Sequence, residues 1–383
     1  MNWYSNRYNE TFEYVKVSPV DWSENGTYDF ITGGSIELSD DNKYKVTGSF
    51  QFNGLELPDP NYYMRVYYSF ESFDEDTGDL DSIRIPMATT LVSFSSKQYR
   101  DSTAGMLYSG TLTASSILKI LDDKKYGEPF IVKKNTNAIY KAFELIEEFG
   151  LRVEYTPSSA TLNVDHTFSS DNSYLDIVNW LCTYAEYREA YTDENGVIKM
   201  DPLIKPEQDP NPIVFKNDDK SIMYPELDED NDWQSRANVV KMVYNTDKAW
   251  AIATVKNLRG SRMSLESLHG REITSVEEIS DVDAKKGILD QLIDRAEESL
   301  KTQANETETV KFSHAYIPMA LKKAVKIEYS DMEWLGSAEN ISIDLQPATK
   351  TQTTITKTIE NVIEVSKTGK IKTSEGQEST YGG

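Results

Sequence analysis

Three histidines and one cysteine are the only imidazoles and the only thiol in 383 residues. His166, His269 and His314 stand far apart, and none belongs to an HExxH pattern, where two imidazoles one helical turn apart hold zinc and the Glu acts as base. His269-Gly270-Arg271-Glu272 resembles the start of such a motif but lacks the second His. Each lone His therefore reads as a surface or satisfied core residue. Cys182 lies among apolar residues at helical spacing, which suits a buried structural thiol better than a nucleophile. Neither GxSxG nor GxxxxGK[ST] occurs, so nucleophile elbows and phosphate-cradling loops are absent. The sequence nominates no catalytic, cofactor-binding or metal-ligating residue.

Carboxylates are the one abundant reactive group, with 63 Asp plus Glu against 40 Lys plus Arg and a formal charge of -23. Such a charge opposes binding to DNA, RNA or an anionic membrane. It suits either plain solubility or a surface that nucleic acid must pass without sticking. Two clusters concentrate it. Glu71, Asp74, Glu75, Asp76, Asp79 and Asp81 fill a turn between two strands. Their spacing briefly mimics a calcium loop, but Gly78 falls where another ligand belongs and no Glu closes the loop. A solvated hairpin tip, a wall facing a negative channel and a cation site are its three readings. The second cluster, Glu226, Asp228, Glu229, Asp230 and Asp232, ends at Trp233 and reads as a loop ahead of a strand. Asp74, Glu75, Asp76, Asp79 and Asp81, with this second cluster, are the candidate channel-facing acidic loops. Any two carboxylates can in principle form a glycosidase pair, and the aromatic run 62–68 (YYMRVYY) can line a sugar groove, although such runs are more often core or interface.

The elements that carry these groups follow from periodicity. Tyr44, Val46, Gly48, Phe50 and Phe52 alternate with polar residues as in a half-buried strand. Ile31 to Ile36 (ITGGSI) suggests a bulge leading into another strand. Many short strands with turn punctuation point to a small barrel or sandwich over the first 115 or so residues. Beyond Ser115 the pattern becomes helical. Asn137 or Thr136 caps a helix bearing Ile139, Ala142, Phe143, Ile146 and Phe149 on one face and stopped at Gly150. Ser173 with Asp176 opens another in a near capping box. A hairpin then turns at Glu194-Asn195-Gly196, where Asn-Gly supplies positive φ angles. A further helix is expected to start at Ser280 or Asp281 and to bury Ile288, Leu289, Leu292, Ile293, Ala296 and Leu300. The stretch 366–383, with three Lys, three Ser and four Gly, reads as a mobile tail.

The expected fold class is thus α+β and multidomain: two barrel-like antiparallel β domains, an α+β domain between them, and a helical insertion in the second. The boundaries are 1–115 for the first β domain, 116–205 for the α+β domain, 206–257 with 308–365 for the second β domain, 258–307 for the insertion and 366–383 for the tail. No apolar run approaches the ~18 residues of a membrane span, and residues 1–14 carry no apolar signal core; folding in a cytoplasm is expected.

Several strings, taken in order, are similar to the hub proteins of bacteriophage tails: 43–54 (KYKVTGSFQFNG), 126–130 (YGEPF), 173–181 (SYLDIVNWL), 221–227 (SIMYPEL), 310–318 (VKFSHAYIP) and 341–354 (ISIDLQPATKTQTT). That family includes baseplate hubs of contractile tails and the N-terminal hub domain of tail-associated lysins. The resemblance implies a homotrimer whose two β domains per chain place six similar barrels in a ring. It implies a distal tail protein or tail tube protein above, and a tip, spike or tail-associated lysin below. DNA would pass through without specific binding. It implies no cofactor and no hub catalytic residue, in a protein located in the virion tail and assembled in the host cytoplasm. The competing expectation is a hydrolase or glycan-binding tail protein acting on the bacterial envelope.

Overall fold

Strands β1 (Tyr8–Val17), β2 (Glu24–Thr27), β3 (Ile31–Ser39), β4 (Val46–Gly54), β5 (Tyr63–Phe73), β6 (Leu80–Ser102) and β7 (Gly105–Ser116) follow one another at the start of the chain. The computed structural model describes residues 8–73, 80–103, 105–218, 222–231, 236–246, 249–279, 287–348, 350–373 and 378–381. Alternation explains β4, where Val46, Phe50 and Phe52 are buried while Gln51 and Asn53 are exposed. The expected bulge falls between Ile31 and Gly33. Gly34 beside it admits no side chain, because a Cβ there would lie 2.2 Å from the Ser49 carbonyl oxygen. Hydrogen bonds order the strands β2-β1-β5-β6-β7-β4-β3. On a flat sheet β1 and β4 would stand about 19 Å apart. Tyr14 of β1 instead meets Phe50 of β4 edge-on, ring centres 5.9 Å apart. The sheet is rolled around an aromatic interior.

Next come α1 (Leu118–Asp123), β8 (Phe130–Val132), α2 (Ala138–Glu147), β9 (Val153–Tyr155), β10 (His166–Phe168), α3 (Tyr174–Tyr184), β11 (Tyr191–Thr192) and β12 (Ile198–Met200). Asn137 caps α2 by accepting from the Tyr140 amide at 2.9 Å. Ser173 and Asp176 cap α3 reciprocally, at 3.1 and 2.8 Å. Ile139, Ala142 and Ile146 pack in one core with Ile177, Val178 and Leu181. Each large aliphatic side chain buried there contributes about 1.5–3 kcal/mol. Gly150 stops α2 at φ +65°. In the following hairpin Gly196 takes the positive φ, while the Asp193 carboxylate accepts from the Asn195 and Val197 amides. The turn therefore rests on Gly196 and Asp193, with Asn195 on the ordinary side of φ. Its tip docks on the first strands, for Arg65 and Thr89 donate to the Asn195 and Glu194 carbonyls.

The remaining elements are β13 (Ile213–Lys216), β14 (Met223–Asn231), β15 (Val239–Thr246), β16 (Ala249–Arg259), β17 (Thr274–Glu278), α4 (Ile288–Ala304), β18 (Glu306–His314), β19 (Ala324–Tyr329), β20 (Met332–Asp344), β21 (Thr351–Ile359), β22 (Glu364–Thr373) and β23 (Glu378–Tyr381). The fold is mostly β, with one large, predominantly antiparallel sheet, smaller sheets and four helices among the described residues. β20 pairs with β3, Ile343 opposite Ile36, so the later strands continue the first sheet to 13 strands. The expected pair of separate barrels is corrected here. Among the described strands no pairing closes either half, and part of the edge that β3 would need for closure, Ser35 to Ser39, is taken by β20.

The chain divides into two units, residues 1–227 with 311–355, and residues 228–310 with 356–383. In the second, sheet β17-β15-β16-β22-β23 carries α4 on one face. β15 and β16, expected in the second β domain, thus share a core with the helix expected to be an insertion. The stretch expected to be a tail contributes β22, paired with β16 from Ala249↔Thr373 to Arg259↔Glu364. Its Gly369 permits this packing, since a Cβ there would lie 2.6 Å from Leu289 of α4. The expected helix start at Ser280 or Asp281 lies outside the described residues. No helix among the described residues is long and apolar enough to cross a membrane.

Candidate assembly surfaces

Two of the residues best suited to catalysis, His314 and Cys182, are built into cores. His314, at the end of β18, is fully buried. One ring nitrogen lies 2.6 Å from the Ala315 carbonyl and the other 2.8 Å from the Thr353 hydroxyl. Phe215 and Phe312 flank the ring. Burial lowers its pKa to about 4, so it is neutral and fully engaged at neutral pH. His166 stacks on Trp180 with ring centres 3.9 Å apart, and His269 sits exposed in the connection after β16. Cys182 is buried in α3, where burial raises its pKa to about 12 and suppresses the thiolate. Among the described residues no group of three or more His, Cys, Asp or Glu is arranged to hold a metal ion.

A charged junction built around one buried lysine was not legible from sequence. Lys45, 4% exposed, binds Glu189 at 2.7 Å and Asp40 at 3.3 Å. Lys322 binds Asp40 at 2.8 Å and Glu339 at 2.5 Å. Burial opposes ionisation of Asp40, but the hydrogen bond and charge of Lys322, with the charge of Lys45, hold its pKa below the ordinary value. Burial outweighs Lys322 at Glu339 and raises that pKa. The junction ties the β3–β4 turn to the segment after α3 and to the turn between β18 and β19. A cavity of about 460 Å³ borders it, lined among others by Val46, Met87, Tyr191, Tyr316 and Leu321. Burial raises the Tyr316 pKa, and the lining groups Asp193, Glu194 and Lys199 form no nucleophile–base pair.

The acidic candidates fare unevenly. Asp74, Glu75, Asp76, Asp79 and Asp232 lie outside the described residues. Asp81 is on β6, its backbone opposite Ser72 of β5. Glu226, Asp228, Glu229 and Asp230 are exposed, but on β14 rather than on the expected loop. β14 closes one end of the large sheet, and a row of acids there blunts pairing with foreign strands.

No protein-family model and no curated protein sequence matches the chain. Among solved structures it is similar to the tail protein from Neisseria meningitidis MC58, at 11% identity and a TM-score of 0.58, covering 91% of this chain and 96% of that one. It is also similar to the 43 kDa tail protein of prophage MuSo2 from Shewanella oneidensis, at 10% identity and a TM-score of 0.57, covering 91% and 98%. The chain has the fold of phage tail proteins. At such identities few side chains are shared. What the tail-protein fold has in common with its relatives is therefore the course of the backbone, and the charged junction and the acidic strand are described for this chain alone. The acids of β14 missed their element because charge outweighed pattern: only Met223 and Leu227 hint at alternation there.

Proposed function

We propose that this chain is a structural component of a phage or phage-derived tail, a hub in which three copies form a ring. The ring would join the tail tube or distal tail ring to the tip or spike and leave a passage for DNA. The likeness to tail proteins over 91% of the chain is the observation that carries this reading. The rolled first half, β1 to β7, supports it as one station of the ring, and on this reading the strands β18 to β21 that continue its sheet serve as a second. Three copies then supply six stations, which lets a threefold object meet a sixfold tube. Acidic loops facing inward would keep phosphates from binding during ejection. No catalytic role is part of this reading.

Light scattering of the purified chain, together with images of assembled tails, tests it. Three times the chain mass and a ring with a central hole are expected. A chain that stays single inside the assembled tail would overturn the hub. Cleavage of peptidoglycan or polysaccharide by the purified chain would favour the envelope-acting alternative.

A further inference from the structure

The second unit presents a surface unlike the rest of this acidic chain. On its sheet, Val240, Met242, Ala251, Ala253 and Val255 point to α4 and are buried. Strand alternation sends their neighbours to the opposite face. Lys241, Trp250, Ile252, Lys370 and Lys372 therefore share that face, with Val276 on neighbouring β17. Register places Trp250 opposite Lys372 and Ile252 opposite Lys370, and sets Val276 beside Lys241. Trp250 is 40% and Val276 63% exposed. Lys256 on the same face is matched by Glu272 at 2.5 Å. Lys241 forms no ion pair among the described residues, and in register Lys370 and Lys372 stand opposite Thr380 and Glu378 of β23. Lysines alone would read as a solubilising face, but solubility does not require an exposed Trp and Val among them.

We propose that this face binds the acidic edge strand β14 of a second copy of the chain, an inference that rests on the ring reading above. Copies carrying a formal charge of -23 repel one another, so their association needs local patches of opposite sign. The chain carries both. Glu226, Asp228 and Asp230 alternate along β14 and share one side of it, about 7 Å apart along the strand. Lys370 and Lys372 repeat at the same pitch along β22, and Lys241 lies two strands away, about 10 Å across the sheet. Trp250 and Val276 supply apolar contact between the charges, as aromatic residues do at interface centres. On this assignment the second acidic cluster faces a neighbouring copy, and the channel wall falls to Asp74, Glu75, Asp76, Asp79 and Asp81.

Zero-length carbodiimide cross-linking of a mixture of unlabelled and nitrogen-15-labelled full-length chains tests the pairing, in solution and in assembled tails. Mixed-isotope links from Lys241, Lys370 or Lys372 to Glu226, Asp228 or Asp230 are expected. Reversing either set, K241E/K370E/K372E or E226K/D228K/D230K, should weaken self-association at least tenfold, and combining both sets should restore it. Links confined to other surfaces, with association indifferent to both reversals, would overturn the pairing and leave the ring standing. A chain that is single in solution and in assembled tails would remove the ring and the pairing together. Saturable DNA binding lost in K241E/K370E/K372E, without links between copies, would assign the face to nucleic acid and overturn the proposal.

Discussion

His314 shows how a residue with catalytic potential becomes a packing element. Unfolded, its imidazole titrates near 6.5; in the fold, burial lowers this to about 4. The native state therefore binds fewer protons between those values. The stability that neutral His314 provides is complete above pH 6.5 and declines as pH falls through that window, by on the order of 3 kcal/mol in all. Urea midpoints of the wild type and of His314→Gln should make this visible. Between pH 7 and pH 5 the wild type should lose about 2 kcal/mol more than the variant, because titration of the carboxylates is common to both. An equal loss in both proteins would mean that His314 is hydrated in the fold. Sequence could dismiss this residue as a metal ligand from its spacing. It could not assign the burial, because Thr353 and Phe215, which complete its environment, lie 39 and 99 positions away.

At the scale of elements, local chemistry was readable and distant pairing was not. Asn137 and Ser173 announce their helices because a cap is satisfied within three residues, and both cap as expected. Ser173→Ala should lower stability by about 1 kcal/mol. Denaturant unfolding followed by the fluorescence of Trp180, within α3, measures it directly. Ser173→Asn should recover most of the loss, which a packing defect would not. By contrast, β22 carries Lys, Ser, Thr and Gly, and nothing in that composition announces a strand. Its register with β16, more than a hundred positions earlier, supplies the hydrogen bonds that its own propensities do not. The acidic strand β14 was missed for the same reason, since what holds it extended is its place in the sheet.

Across the whole molecule, charge is the property most open to test. If the first acidic cluster lines the passage, changing Asp74, Glu75, Asp76, Asp79 and Asp81 to Lys should slow DNA release from assembled particles and leave adsorption intact. Added salt should relieve the defect by screening, as the Debye length shrinks to about 8 Å at physiological ionic strength and further above it. Unchanged release kinetics at low salt would assign those acids to solubility alone. The shift between period-2 and helical patterns was legible and marks α2 and α3 off from the strands before them. The grouping of the strands was not, because β20 joins β3 across some 300 positions, and no local signal encodes which strand takes a free edge.

The pairing of β16 with β22 also bears on the order in which the protein can be made. A ribosome releases β15, β16 and α4 long before β22. It must deliver β18 to β21, which belong to the large sheet, before β16 gains its second neighbour. During that interval one side of β16 lacks its partner strand while synthesis continues, at roughly 5–20 residues per second. The smaller unit is thus finished late, and its completion depends on residues 364–373 having been made. A premature stop codon between β16 and residue 364 would leave translation products with an open β16 edge, a natural substrate for chaperones and proteases.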